Sequence, residues 1–162
     1  MSSITAAGVL PKASYQGSDY YYFGVDKKNE ITTFCGTKNI GEKDHKCAVR
    51  EFIEESLGVI ASKKTISGIL KNKNVTRIKN SKAKQITYIA KVTIKGNPMT
   101  KFQVAIKKPG LKKHQKEMKK IIAIEASHLR KIITSNQHVL NGSLFRGDAW
   151  GTLKLALNSG KL

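Results

Sequence analysis

Acidic residues are scarce in this 162-residue chain, where 11 Asp and Glu stand against 30 Lys and Arg and the formal net charge is +19. Between Val59 and Lys116 there is no Asp or Glu, while lysine recurs throughout. An unopposed positive field of this extent favours polyanions such as nucleic acid, polyphosphate or an acidic membrane surface. Solubility alone is the other interpretation, since surface lysines also supply it.

Cysteine is also scarce, and Cys35 and Cys47 are the only two in the chain. Neither belongs to a C-x-x-C pair or lies near a histidine at the spacing of metal ligands, which argues against a zinc site. We expect both thiols to stay reduced in a cytosol-like compartment. Cys47 is predicted to be a small core residue on a helix.

Long apolar runs are missing too, since no run of about 18 apolar residues could span a bilayer. No membrane partner is therefore predicted. The N-terminal segment 1–14 lacks the basic and apolar regions of a secretion signal, so we expect a cytoplasmic protein that begins near Met1. With 162 residues and no internal repeat, the chain is predicted to form one domain over residues 1–162. Its oligomeric state is left open.

The periodicity of the apolar residues predicts strands that surround a helix. That helix is expected over residues 45–57, where apolar side chains recur at helical spacing. Two C-terminal helices are predicted over 127–133 and 149–158, with Ser127 and Asp148 as their caps. Strands are predicted at 3–10, 20–26, 30–34, 65–70, 84–95, 101–108 and 119–124. This order favours an α/β fold in which a mixed sheet is flanked by helices.

Five of the eleven acidic residues fall within residues 36–58. On a helix, Glu51, Glu54 and Glu55 are related as i, i+3 and i+4 and therefore share a face. This face could be an ordinary solvated surface, in which nearby glutamates cost only a few tenths of a kcal/mol per pair. Clustered carboxylate oxygens also suit hard divalent cations such as Mg²⁺ and Mn²⁺.

The residues around these glutamates distinguish the two interpretations. Five residues separate Gly36 from Glu42, and seven more precede the run REFIEE at 50–55. This pattern resembles the Nudix box, G-x5-E-x7-R-E-U-x-E-E-x-G-U, in which U is a bulky apolar residue. The chain departs from the box at its end, where Leu57 stands at the glycine position and Gly58 follows it.

The resemblance to Nudix hydrolases implies an α/β/α sandwich with a mixed β-sheet. It also implies hydrolysis of a phosphoanhydride with Mg²⁺ or Mn²⁺ as the cofactor. Glu51, Glu54 and Glu55 would bind the divalent ions, and one of them would be the base that activates water. Arg50 would orient Glu51 through a charge-assisted hydrogen bond.

Further site residues are implied by the same resemblance. Glu42 would brace the loop against the helix or join the metal ligands, and Gly36 would let the loop approach the metal and the phosphates closely. The backbone carbonyl of Cys35 is implied as a metal ligand. The family often uses one more acid from outside the box, for which Glu117 is the candidate; an ordinary surface glutamate is the alternative.

The box specifies the bond that is cleaved and leaves the rest of the substrate open. Nudix hydrolases cleave nucleoside triphosphates, dinucleoside polyphosphates, nucleotide sugars, dinucleotide cofactors and RNA caps. The excess of lysine favours the longest of these polyanions, capped RNA, as the substrate and RNA as the nucleic-acid partner. The candidate substrate-binding residues, besides Gly36, are Lys38, Lys112, Lys113 and Lys116.

A second resemblance supports capped RNA as the substrate, and two alternatives remain open. The segment AVREFIEES at 48–56 also resembles decapping-type Nudix proteins of large DNA viruses. A free nucleotide or dinucleotide is the alternative substrate. A non-catalytic Nudix-fold protein that binds RNA is the alternative function, and the complete box argues against it.

Overall fold

The structure is a computed structural model that describes residues 3–162. Met1 and Ser2, which begin the segment inspected for a secretion signal, lie outside the described residues. Over residues 3–162, no helix has the length and apolar character that crossing a membrane requires.

Four strands come first in the chain, and groups of helices and strands follow one another after them. The strands are β1 (Ala6–Tyr15), β2 (Ser18–Asp26), β3 (Glu30–Thr32), β4 (Phe34–Thr37), β5 (Thr76–Asn80), β6 (Gln85–Lys91), β7 (Met118–Glu125), β8 (Val139–Leu140) and β9 (Ser143–Phe145). The helices are α1 (Asp44–Ser56), α2 (Lys63–Lys71), α3 (Pro98–Ala105), α4 (Ala126–Thr134) and α5 (Gly147–Asn158), and a 3₁₀ helix spans Lys113–Lys116.

One mixed sheet forms the middle layer. Its strand order is β5-β6-β1-β2-β3-β9-β8, with β4 also paired to β1 and β7 also paired to β2. β1 runs parallel to β6 and antiparallel to β2 and β4. A parallel pair at the centre of the sheet requires both faces to be covered, and helices cover them here.

Side chains of neighbouring strand residues point to opposite faces of this sheet, and each face has its own apolar cluster. Val9 belongs to the cluster that also contains Phe52 of α1 and residues of α2 and α3. Leu10 belongs to the cluster that contains Leu129 of α4 and Leu153 of α5. The helices therefore form two outer layers, and the predicted sandwich with a mixed sheet is confirmed.

Three predicted helices are confirmed as α1, α4 and α5. Cys47 is fully buried on α1 as predicted, and both cysteines are free thiols. The predicted caps were wrong: α4 follows Glu125 and α5 follows Arg146, each without a side-chain cap. Ser127 instead donates a hydrogen bond to Glu125, and Asp148 accepts one from Arg146.

Two predicted strands are helices in the structure. The segment 65–70 belongs to α2, and the segment 101–108 overlaps α3 and the turn after it. Ser62 caps α2 by accepting a hydrogen bond from the third helical N–H at 3.2 Å. Asn97 caps α3 by accepting from two N–H groups of its first turn. These caps favour the helix, whereas a short apolar run by itself does not distinguish helix from strand.

Several strand boundaries also differ from the prediction. The predicted strand 84–95 ends at Lys91 as β6, and the predicted strand 30–34 divides at Thr33 into β3 and β4. β5, β8 and β9 were not predicted. β1 continues through Pro11, which falls in the gap between the ladders to β4 and to β2, so that its missing N–H interrupts neither of them.

Candidate active site

The loop before α1 is held to the helix by Glu42. Its carboxylate accepts hydrogen bonds from Arg50 Nε and Nη2 at 3.0 and 2.9 Å and from the backbone N–H of Asn39 at 3.0 Å. The hydrogen bond from Arg50 is the main reason that the pKa of Glu42 falls to about 2. Glu42 is therefore an ionised brace between the loop and α1, the first of the two roles that the resemblance allows.

Arg50 connects the carboxylates of the site. Its Nη1 donates to Glu51 Oε1 at 2.6 Å and lies 3.6 Å from Glu54 Oε2. Its Nη2 also donates to the carbonyl of Thr37 at the end of β4, 3.0 Å away. The guanidinium thus fixes the orientation of Glu51 and stands between two of the three clustered glutamates.

Gly36 lies where β4 approaches α1 most closely. A Cβ atom at this position would overlap the carboxylate of Glu51. Glycine is therefore required for space, because any side chain would displace the carboxylate that Arg50 orients. This contact joins Gly36 to Glu51, which accounts for the number of residues between the glycine and the glutamate in the sequence pattern.

Glu55 is the most deeply buried glutamate, with 3% of its surface exposed. Its Oε1 has no hydrogen-bond partner. Burial, and then the charges of Glu51 and Glu117, raise the pKa of Glu55 well above its usual range. Burial also raises the pKa of Glu51, although Arg50 opposes that shift. An unpartnered buried carboxylate oxygen is costly, so its retention points to a ligand that satisfies it.

The donor set fits a hard divalent cation. Carboxylate oxygens are the preferred ligands of Mg²⁺ and Mn²⁺, and the free oxygen of Glu55 is one of them. As the side chains stand, no three His, Cys, Asp or Glu residues within residues 3–162 are grouped closely enough to hold a metal. Arg50 Nη1 lies between Glu51 and Glu54, 2.6 Å from an oxygen of the first and 3.6 Å from an oxygen of the second. Glu51, Glu54 and Glu55 are the residues that would hold the ion.

Glu117 lies beside this cluster although it is distant in the sequence. It lines a cavity of about 400 Å³ together with Glu55. Its charge raises the pKa of both Glu51 and Glu55, which reflects its proximity to them. The tertiary structure therefore brings the predicted outside acid to the box. The Cys35 carbonyl remains a prediction as a metal ligand.

The four predicted substrate-binding lysines divide into two groups. Lys38 forms an ion pair with Asp44 at the start of α1, with Nζ 2.7 Å from Oδ1, so its charge is already partnered. Lys112, Lys113 and Lys116 are exposed on and beside the 3₁₀ helix. That helix packs on α1, and His114 Nε2 lies 3.8 Å from Glu54 Oε1. The 3₁₀ segment that carries these lysines therefore packs beside the helix that carries the glutamates.

Arg146 lies beside Glu55, although no motif in the sequence pointed to it. Arg146 Nε and Nη2 donate to the Asp148 carboxylate at 2.8 and 3.2 Å, and Nη2 also donates to Cys35 Sγ at 3.3 Å. Burial raises the pKa of the Cys35 thiol to about 12, so Cys35 is a neutral partner. The charge of Arg146 favours the ionised form of Glu55. Its only signal in the sequence was its rarity, since lysine greatly outnumbers arginine in this chain.

Comparison with known proteins identifies the fold. No protein-family model and no curated protein matches the sequence. An Ap4A hydrolase of C. elegans in a binary complex superposes with a TM-score of 0.50 at 17% identity, over 78% of this chain and 84% of that one. RenU, a Nudix hydrolase from M. smegmatis, superposes with a TM-score of 0.50 at 8% identity, over 96% of this chain and 85% of that one. This chain has the Nudix fold.

The position of the site within the Nudix fold follows from the sheet and α1. Cys35 and Gly36 belong to β4, and α1 carries Arg50 and the glutamates. Sequence identities of 8% and 17% relate the folds alone. The chemistry must therefore be argued from the side chains of the site.

Proposed function

We propose that this protein is a metal-dependent pyrophosphohydrolase that cleaves a phosphoanhydride in a nucleoside-linked substrate. One observation carries the proposal. Glu51, Glu54 and Glu55 all belong to α1, and Glu55 presents a buried carboxylate oxygen that has no partner. A bound Mg²⁺ or Mn²⁺ would neutralise phosphate oxygens and lower the pKa of a bound water.

The residues of the chain have separable roles in this reaction. Glu42 and Arg50 hold the loop and the helix in one geometry, and Arg50 orients Glu51. One of Glu51, Glu54 and Glu55 would accept the proton of the attacking water, and the others would hold the cation. Positioning of this kind accounts for a large part of catalysis in phosphoryl transfer.

For the substrate we propose the 5′ cap of RNA. Lys112, Lys113 and Lys116 support this choice, because they are exposed beside the helix that carries the glutamates. The net charge of +19 supports it as well, since a free nucleotide needs only a few positive contacts. The RNA tail would bind these lysines while the anhydride of the cap lies at α1.

A dinucleoside polyphosphate is the second candidate substrate. It is favoured by the similar fold of the C. elegans Ap4A hydrolase. Such a compound contains the same anhydride and lacks the phosphodiester tail. Efficient cleavage without a tail therefore distinguishes this candidate from capped RNA.

A substrate panel tests the proposal. Capped RNA, free cap dinucleotide, a dinucleoside tetraphosphate, a nucleoside triphosphate and a nucleotide sugar are each offered with Mg²⁺ or Mn²⁺. We expect capped RNA to be cleaved at least about tenfold more efficiently than the free cap, because a tenfold preference needs only about 1.4 kcal/mol from tail contacts. The products should be a cap nucleoside diphosphate and 5′-monophosphate RNA, and the preference should shrink as salt rises.

Two sets of variants serve as controls for this panel. Glu54→Gln and Glu55→Gln keep the side-chain shape and should lower turnover on every substrate by orders of magnitude. Equal turnover in these variants would overturn the hydrolase proposal. Equal rates on capped RNA and free cap would instead overturn the RNA substrate, and fastest cleavage of the dinucleoside tetraphosphate would replace it with the second candidate.

A further inference from the structure

Basic and acidic side chains line one cavity next to Glu55. The cavity has a volume of about 400 Å³, and its lining includes Glu55, Glu117, Lys27, Lys28 and Arg146. This volume lies within the range of about 300–1,000 Å³ that small-molecule sites occupy. Two carboxylates of the candidate active site and three cations therefore meet at one opening.

Lys27 and Lys28 lie on the turn between β2 and β3, which hydrogen bonds hold in one conformation. Asp26 Oδ1 accepts the backbone N–H groups of Lys28 and Glu30 at 2.9 and 3.0 Å. The backbone N–H of Lys27 donates to the Glu117 carbonyl at 3.3 Å. This last bond places the turn directly beside the acid that lines the cavity.

The same turn is also joined to the segment that carries Arg146. Asn29 Nδ2 donates to the Gly142 carbonyl at 2.9 Å, and Ser143 Oγ donates to Asn29 Oδ1 at 3.0 Å. The backbone N–H of Arg146 donates to the Ile31 carbonyl at 2.9 Å. The two lysines and the arginine therefore belong to one hydrogen-bonded unit, and sites on rigid elements are positioned precisely.

The charges in the cavity are unevenly satisfied. Asp26 and Glu30 also line it, but Asp26 is already engaged by backbone N–H groups. Within residues 3–162, neither Lys27 nor Lys28 takes part in an ion pair. The buried oxygen of Glu55, in the same lining, has no partner either. A phosphate anion bound together with a cation would satisfy both the lysines and this oxygen.

We propose that Lys27, Lys28 and Arg146, which line the cavity together with Glu55 and Glu117, bind the diphosphate part of the substrate. The inference rests on the proposed function, and the three residues lie outside the segment 36–58. Carboxylates alone would repel a diphosphate, so the cations beside them supply the attraction. These three cations would therefore select which phosphate groups of the substrate lie next to α1.

Calorimetric binding of methylenediphosphonate in the presence of Mg²⁺ tests this assignment. The probe carries a CH₂ group in place of the bridging oxygen, so binding is measured without hydrolysis. We expect the double variant Lys27→Gln/Lys28→Gln to bind it about tenfold more weakly than the unchanged protein, because two charge contacts are lost. Arg146→Lys keeps the charge and loses the planar fork, and we expect about threefold weaker binding.

The matched control is Lys79→Gln/Lys82→Gln. These two exposed lysines lie in β5 and in the turn after it, outside the lining of the cavity of about 400 Å³, and their replacement changes the net charge by the same amount. Affinity in this control should stay within about twofold of the unchanged protein. Equal weakening in both double variants, or no binding by the unchanged protein, would overturn the proposal. Unchanged affinity in Arg146→Lys would remove Arg146 from it.

The result can be separated from that of the proposed function. If the substrate panel shows anhydride hydrolysis while Lys27→Gln/Lys28→Gln binds the probe normally, only the present inference fails. If no substrate is cleaved while the double variant still loses affinity, the cavity binds diphosphate and the hydrolase proposal fails.

Discussion

At the scale of the residue, Glu55 shows the conflict between function and stability in this protein. A carboxylate that is 3% exposed, with one oxygen unpartnered, destabilises the fold unless a cation or a proton neutralises it. Arg50 resolves the same conflict for Glu51 by a hydrogen bond of 2.6 Å. Glu51 is therefore neutralised by a hydrogen-bonded arginine, whereas one oxygen of Glu55 has no hydrogen-bond partner.

The metal-free stability of Glu55→Gln should depend on pH in a direction that the structure determines. Burial raises the pKa of Glu55, so the folded protein holds this proton more tightly than the unfolded chain does. Its contribution to stability is complete below the unfolded pKa and is lost as pH rises through the folded pKa. Glutamine does not titrate, so the variant has no such loss. Its melting temperature should therefore exceed that of the unchanged protein by an amount that grows as pH rises from about 4 to about 8. At this chain length about 1 kcal/mol corresponds to roughly 2–4 °C.

Thermal melts with a chelator measure this difference. Glu54→Gln is the control, because Glu54 is partly exposed and contacts Arg50, and it should lack the gain. Added Mg²⁺ should raise the melting temperature of the unchanged protein more than that of Glu55→Gln. A melting difference that is the same at every pH would contradict the assigned cause.

At the scale of the element, the end of α1 shows how the helix terminates where the chain departs from the pattern that it resembles. Leu57 ends the helix in the left-handed conformation with φ of 56°, and Gly58 follows with φ of 71°. Leu57 is also partly buried against the apolar cluster of α1, which offsets its backbone strain. The shift changes the helix terminus and leaves the carboxylates in place.

Two glycine substitutions should therefore have opposite effects on stability. Gly58→Ala places a Cβ on a left-handed residue and should destabilise the fold by about 1 kcal/mol. Gly68→Ala, inside α2 and with open space around its Cβ position, should stabilise it by about 0.5–1 kcal/mol. Urea unfolding measures both, and hydrolytic activity should be unchanged in both. Unchanged or increased stability in Gly58→Ala would show that the turn conformation does not require glycine.

At the scale of the whole molecule, charge separates into two regions. The acids of α1 and its loop form one region, and the span from Val59 to Lys116 contains no acid. The 3₁₀ helix brings part of that basic span against α1. A polyanion attracted by the basic surface would therefore be delivered to the carboxylates.

The salt dependence of RNA binding tests this arrangement. If uncapped single-stranded RNA contacts about four phosphates, the logarithm of affinity should fall against the logarithm of salt with a slope of about −3. Lys112→Gln/Lys113→Gln/Lys116→Gln should flatten the slope by about 2. The matched control replaces Lys79, Lys82 and Lys84, three exposed lysines of the β5–β6 hairpin, and should change it less. Equal slopes in both triple variants would show that binding is spread over the surface.

The sequence by itself determined the parts of the protein that depend on local patterns. The periodicity of α1 and the spacing from Gly36 to Glu55 are local, because a helix repeats every 3.6 residues and the loop length is fixed by one close contact. The charge imbalance is likewise a property of composition. These features predicted the fold class and the acidic cluster before any coordinates were known.

Only the tertiary structure decided which distant residues meet at that cluster. The strand or helix choice at 65–70 and 101–108 depended on capping and packing, which a short apolar run does not encode. Glu117 and Arg146 lie far from the box in the sequence, and β7 and β9 carry them to Glu55. Their positions follow from strand pairing across the sheet, which depends on contacts between separate segments rather than on any local pattern.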